Sequence, residues 1–158
     1  PAMLDAARQV SEQKGASVQW LCEDMRTLRY ADEFDYVCLR DVIFGIFESR
    51  QEDVDLLGMI GSALRAGGKF LLEVYNREFA LHHGVEGILF YDASVDRFVR
   101  RGPDAAALSM RLYSLEELEL MLANAGLRIV KTHAWNKPKD PAPPPWRADL
   151  IVAQKDVP

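Results

Sequence analysis

Apolar positions along the chain alternate between two periods. Residues 17–22 form a short run with β-branched and aromatic character that stops at Glu23-Asp24-Met25. Residues 34–39 and 69–75 repeat the pattern, so all three predict strands. Between the last two, Leu56, Leu57, Ile60, Ala63 and Leu64 share one face at helical spacing, which predicts a helix over 53–65 stopped by Gly67-Gly68. A first helix is expected over 1–14, with Met3, Leu4, Ala7 and Val10 as its stripe and Gly15 as its stop. Two short strands are expected at 88–91 and 97–100, with residues 105–110 read as a turn or a further strand. Ser114-Leu115-Glu116-Glu117 is a capping box that opens a helix to about residue 125, with Leu118, Leu122 and Ala125 inward and Gly126 beyond it. Residues 127–135 and 149–155 read as strands. The five prolines between them exclude a helix and a central strand, so the pair should form a long antiparallel hairpin around a stiff loop at 136–147. Strands separated by helices imply a parallel sheet, and in such sheets ligands sit beyond the carboxyl ends of the strands. Asp24 and Met25 mark one such end, and residues 40–47 another.

Composition narrows the class. A chain of 158 residues is expected to be one domain with a core that needs no metal or disulfide. Its net charge of -5, with no dense Lys/Arg cluster, argues against a nucleic-acid surface. No apolar run reaches the roughly 18 residues of a membrane span. Neither is there a basic segment followed by an apolar one at the start, so no membrane partner and a cytoplasmic location are expected. Cys22 and Cys38, each inside an expected strand, read as two buried, reduced thiols. His82-His83 is not a metal pair, because adjacent side chains of an extended chain diverge; no metal is expected. Pro143-Pro144-Pro145-Trp146 reads as a rigid connector rather than a ligand for a proline-recognising domain.

The order of elements, together with specific residues, resembles a known family. Pro1-Ala2-Met3-Leu4-x-x-Ala7-Arg8, Glu23-Asp24-Met25-Arg26-x-Leu28, Phe34-Asp35-Tyr36-Val37, Phe44-Gly45-x-Phe47, Leu64-Arg65-x-Gly67-Gly68-Lys69-Phe70 and Leu118-x-x-x-Leu122-x-x-Ala125-Gly126-Leu127 follow one another as in class I S-adenosylmethionine-dependent methyltransferases. The resemblance implies an α/β fold: a Rossmann-like three-layer sheet, mostly parallel, ending in an antiparallel hairpin. It implies that Asp24 accepts from the adenine amino group while the Met25 amide faces a ring nitrogen, which suits a carboxylate beside a backbone donor. It sets Leu39, Arg40 and Asp41 beside the methionine portion of the cofactor, S-adenosylmethionine. Phe44 and Phe47 either wall the methyl-transfer pocket or pack in the core. Tyr75 and Asn76, with Glu73, end a strand at the cofactor edge and are acceptor-side candidates. Residues 77–113 correspond to the family's variable substrate-side insertion, and a small-molecule acceptor is implied. No catalytic base is identified.

The family pattern is incomplete here. No two of the ten glycines stand two positions apart, so the family's G-x-G-x-G loop is absent, as are its first two strands. The chain thus reads as the C-terminal portion of a methyltransferase, alone expected to be inactive. In the family's strand order, 3-2-1-4-5-7-6, the missing strands would stand between 18–22 and 34–39. A gap beside 34–39 is therefore expected, filled by a further segment, by a second copy through oligomerisation or strand exchange, or by rearrangement. A methyltransferase-like binding module without catalysis is the alternative.

Overall fold

The computed structural model describes residues 2–85, 88–100, 109–134 and 148–157. Helix α1 (Ala2–Gln13) is followed by a single 3-10 turn (Met25–Thr27) and strand β1 (Phe34–Leu39). Then come α2 (Arg50–Ala63), β2 (Leu64–Tyr75) and α3 (Arg77–His83). Three short strands follow, β3 (Leu89–Asp92), β4 (Arg97–Arg100) and β5 (Ser109–Met110), and the chain closes with α4 (Leu115–Asn124), β6 (Leu127–Ala134) and β7 (Ala148–Lys155). The main sheet has the order β1-β2-β7-β6, with β1 and β2 parallel and the other two pairings antiparallel. This is the 4-5-7-6 half of the expected order, including the terminal hairpin.

Alternation along β2 and β7 points Phe70, Leu72, Val74, Ile151 and Ala153 to one face, where they meet Leu56, Leu57 and Ile60 of α2 and Leu118, Met121 and Leu122 of α4. Both helices begin with capping boxes, Ser49 with Glu52 and Ser114 with Glu117, so their first amides are satisfied before packing begins. The strands β3, β4 and β5 form a second, antiparallel sheet with its own core of Tyr75, Val85, Leu89, Phe98, Met110 and Leu112. That small layer stands within the 77–113 stretch, above the tip of β2.

Several expectations change. Residues 17–22 are exposed and form no strand, because a strand exists only through a ladder and none of the described strands lies beside them. The outer edge of β1 is accordingly unpaired among the described residues. Cys22 and Cys38 are exposed free thiols, not buried ones, for the same reason. Gly67-Gly68 does not stop a helix: α2 ends at Ala63, and the pair lies inside β2, where a step of two positions along β1 (Phe34 to Tyr36) matches a step of five along β2 (Leu64 to Lys69). Gly67 takes φ 76°, and a Cβ on Gly68 would lie 2.8 Å from the Arg65 carbonyl oxygen, so this bulge needs both glycines. The stripe of α1 is only partly covered: Met3 and Val10 are exposed, Met3 to 87%, while Leu4 and Ala7 are half-buried. Helix α3 was not expected. The proline-rich stretch and its connector reading lie outside the described residues.

Candidate functional site

The tips of β1 and β2 carry the loop that organises the site. Glu73, near the end of β2, accepts from Arg40 Nε at 2.8 Å and from the Asp41 amide at 3.1 Å, fixing the first residues beyond β1. The chain then passes through left-handed backbone at Asp41 (φ 64°) and Val42 (φ 49°). Aspartate tolerates this region, whereas a β-branched valine there is strained and persists only where its surroundings impose it. Those surroundings are visible. The Arg111 amide donates to the Gly45 carbonyl at 2.8 Å, and Gly45 has φ 93° with the Arg111 carbonyl where a Cβ would stand. Arg97 of β4, only 8% exposed, donates to the carbonyls of Phe47 (2.8 Å), Glu48 (3.3 Å) and Ile46 (3.4 Å). The same guanidinium holds Ser109 Oγ at 2.7 Å, so one buried side chain ties the small sheet to this loop.

Under the loop lies a buried polar pair. Asp53, 0% exposed, accepts at Oδ2 from the Tyr113 hydroxyl at 2.6 Å, while its Oδ1 has no hydrogen-bond partner. Burial raises the Asp53 pKa, opposed by Tyr113, the Gly45 amide and the charges of Arg111 and Arg97. Phe44, 3% exposed, packs on Tyr113 with ring centroids 5.4 Å apart, and so stands in the core.

Asp24 caps the 3-10 turn, accepting from the Arg26 amide at 2.9 Å. The Arg26 guanidinium also donates to both of its oxygens, at 2.6 Å from Nη2 and 3.0 Å from Nε, and reaches Glu52 at 2.9 Å with Nη1. These bonds hold the Asp24 carboxyl at about 2, well below the usual range, and raise Arg26. Arg26 lies over the Phe47 ring, 5.4 Å from its centroid. The acidic turn and the loop after β1 therefore meet at Arg26. Met25 and Leu39 are partly buried against the main core.

Tyr75 is buried among the residues of the small layer, whereas Asn76 is structural. The Asn76 side chain caps α3 through Phe79 N at 2.8 Å and donates to Asp149 at 2.7 Å. His83 stacks on Phe79 with centroids 4.2 Å apart. Asp41 and Tyr75 both line a pocket of about 180 Å³ between the loop and the small layer. A larger groove of about 640 Å³ runs between residues 28–30, α2 and α4, and none of the sequence-predicted site residues lines it.

Among the sequence-predicted residues, Asp24 and Phe47 are joined through Arg26, and Leu39, Arg40 and Asp41 are joined through Glu73 and the chain itself. Sequence reasoning missed Arg26, Arg97 and the Asp53–Tyr113 pair as organisers. Arg26 stood within the quoted acidic motif, and Ser49-x-x-Glu52 would have shown that α2 starts early enough to bury Asp53.

This arrangement is that of a class I methyltransferase fold. The sequence profile of the methyltransferase domain family matches residues 1–72. Similar solved structures include a protein from Pyrococcus horikoshii OT3, with a TM-score of 0.73 at 16% identity, covering 98% of this chain and 68% of that one. A second is an S-adenosylmethionine-dependent methyltransferase from Clostridium acetobutylicum (TM-score 0.69, 18% identity, 98% and 72% covered). A third is the 1,6-didemethyltoxoflavin-N1-methyltransferase of Burkholderia thailandensis, holding 1,6-didemethyltoxoflavin and S-adenosylhomocysteine (0.66, 16%, 94% and 56%). No curated protein matches the sequence. The resemblance to class I S-adenosylmethionine-dependent methyltransferases is thus borne out, by the family match over the first 72 residues and by the fold over the chain. No helix among the described residues is long and apolar enough to cross a membrane.

Proposed function

We propose that the chain is the C-terminal portion of a cytoplasmic enzyme that transfers a methyl group from S-adenosylmethionine to a small molecule. The observation that carries this reading is the meeting of the Asp24 turn with the Phe47 loop at Arg26, in a chain whose first 72 residues match a methyltransferase domain. A carboxylate followed by a backbone donor fits the adenine edge. The residues present therefore suit one side of the cofactor: Asp24 and Met25 toward adenine, Leu39, Arg40 and Asp41 toward the methionine portion. The bound cofactor supplies a methyl group on a sulfonium sulfur. The protein's part is to hold the acceptor in line and exclude water, which calls for positioning residues and no nucleophile. Phe47 and Tyr75 serve the acceptor side, whereas Phe44 packs in the main core and Asn76 caps α3.

The unpaired β1 edge supports the incomplete status, since two further strands would cover it and supply the glycine loop. The deciding experiment is calorimetry with S-adenosylhomocysteine on this chain and on a version extended upstream. Weak or no heat is expected from the 158 residues alone and saturable binding from the extended protein. An extended protein that also gives no heat overturns the enzyme reading and leaves a non-catalytic module.

A further inference from the structure

The pocket between the loop and the small layer has a chemistry of its own. Val42, Ile43 and Ile46 line it from the loop, and Val85, Leu89 and Met110 line it from the α3–β3 corner and β5. Val85, Leu89 and Met110 are buried parts of the second core, and the Val42–Ile46 stretch is pinned by Arg97 and Arg111, so both sets of lining residues are held by structure behind them. Among the described lining residues the one carboxylate is that of Asp41, and Tyr75 lines the pocket beside it. Its backbone amide is fixed by Glu73, yet its carboxylate makes no hydrogen bond or ion pair among the described residues. A cavity of about 150 Å³ accommodates a benzene ring, so the volume here, about 180 Å³, suits one ring with a short substituent.

We propose that this pocket is the acceptor site, and that it takes a small, single-ring, largely apolar molecule whose amine or N–H nitrogen is held by Asp41. Its identity as an acceptor site rests on the methyl-transfer reading above; its ligand class rests on the pocket alone. A carboxylate at the rim of an apolar cavity attracts cationic and N–H groups and repels anionic ones, so acids and phenolates are excluded. The left-handed backbone at Asp41 and Val42, held from two sides, sets the wall that these two residues give the pocket.

The test uses the full chain with labelled isoleucine, leucine and valine methyl groups, titrated near neutral pH with toluene, benzylamine and benzoate and followed by NMR. Benzylamine is expected to shift the Ile46, Val85 and Leu89 methyls saturably, binding roughly tenfold tighter than toluene, with benzoate weaker still. Asp41→Asn, which keeps the side-chain shape and tolerates left-handed backbone, should reduce benzylamine to the level of toluene. Ile46→Trp, at a half-exposed position that admits a larger side chain, should fill the pocket and abolish the shifts from all three. Benzoate binding as tightly as benzylamine, or a preference that survives Asp41→Asn, overturns the ligand class. Silence from all three probes overturns the pocket as a ligand site. Calorimetry with S-adenosylhomocysteine is read separately, so probe binding in an extended protein that gives no cofactor heat removes the acceptor role and nothing else.

Discussion

At the scale of single residues, buried polar groups do more to shape this site than the residues that first draw attention. Asp53 and Tyr113 are 60 positions apart and share one short hydrogen bond beneath the loop. Removing one partner of such a pair leaves the other desolvated and unsatisfied, which costs more than the net worth of the bond. Tyr113→Phe is therefore expected to lower stability by about 1–3 kcal/mol in urea unfolding. The pair also predicts a pH dependence. Burial raises Asp53 above its ordinary 3.8 in the folded chain, so over the window upward from that value the folded state holds a proton that the unfolded state releases. Stability from this group is greatest below the window and is lost as pH rises through the raised value. Asp53→Asn lacks this slope, so the wild type should gain on the variant as pH falls toward 4, read from paired unfolding curves. A constant difference across that range would show that Asp53 titrates normally.

At the scale of elements, helices α2 and α4 are held at close range by one glycine and not by its neighbour one turn away. A Cβ on Gly61 would run into the Ala125 carbonyl oxygen, whereas one on Gly58 would meet nothing within 4 Å. Gly61→Ala should therefore separate the helices and cost about 1–3 kcal/mol, while Gly58→Ala should stabilise by up to about 1 kcal/mol, since a mid-helix alanine restricts the unfolded chain. Thermal melts of the two variants should move in opposite directions. The same contrast between local and distant causes explains what could be read from sequence. Helix α4 was legible from Ser114 to Gly126 because a capping box and a glycine stop are local signals, and the β6–β7 hairpin was legible because two apolar runs bracket prolines. Residues 17–22 carry as good a strand pattern as 34–39 but have no neighbouring strand among the described residues, and no local pattern reports that. Gly67-Gly68 reads as a stop by propensity; only pairing with β1 reveals a bulge. Helix α3, seven residues long, is too short for a period to register. In the site, Asp24, Met25 and residues 39–41 were singled out by the family resemblance, each set after an apolar run that predicts a strand. Arg26 with Glu52 and Arg97 with the loop were not, because those contacts join residues 26 and about 50 positions apart.

At the scale of the whole molecule, the consequence of the sheet order is an unprotected edge. Among the described residues strand β1 pairs with β2 on one side only, and Tyr36 is 71% exposed on it, with Cys38 exposed two residues on. A parallel strand with one bare side is a template for another strand, and natural sheets cover such edges or charge them. The only acidic side chain on β1, Asp35, is engaged by Arg65 at 3.0 Å and so does little to guard it. In a dilute sample both cysteines should react with a thiol reagent in the folded chain, since both are exposed. Raising the protein concentration should slow Cys38 and leave Cys22 unchanged, in step with a dimer seen by sedimentation velocity, because pairing along β1 covers the first and leaves the second free. Tyr36→Lys places a charge on the bare edge and should keep the chain monomeric with Cys38 reactive throughout. Cys38 unreactive in the dilute monomer would mean that the edge is already covered, and protection that does not follow the dimer would place the contact on another surface.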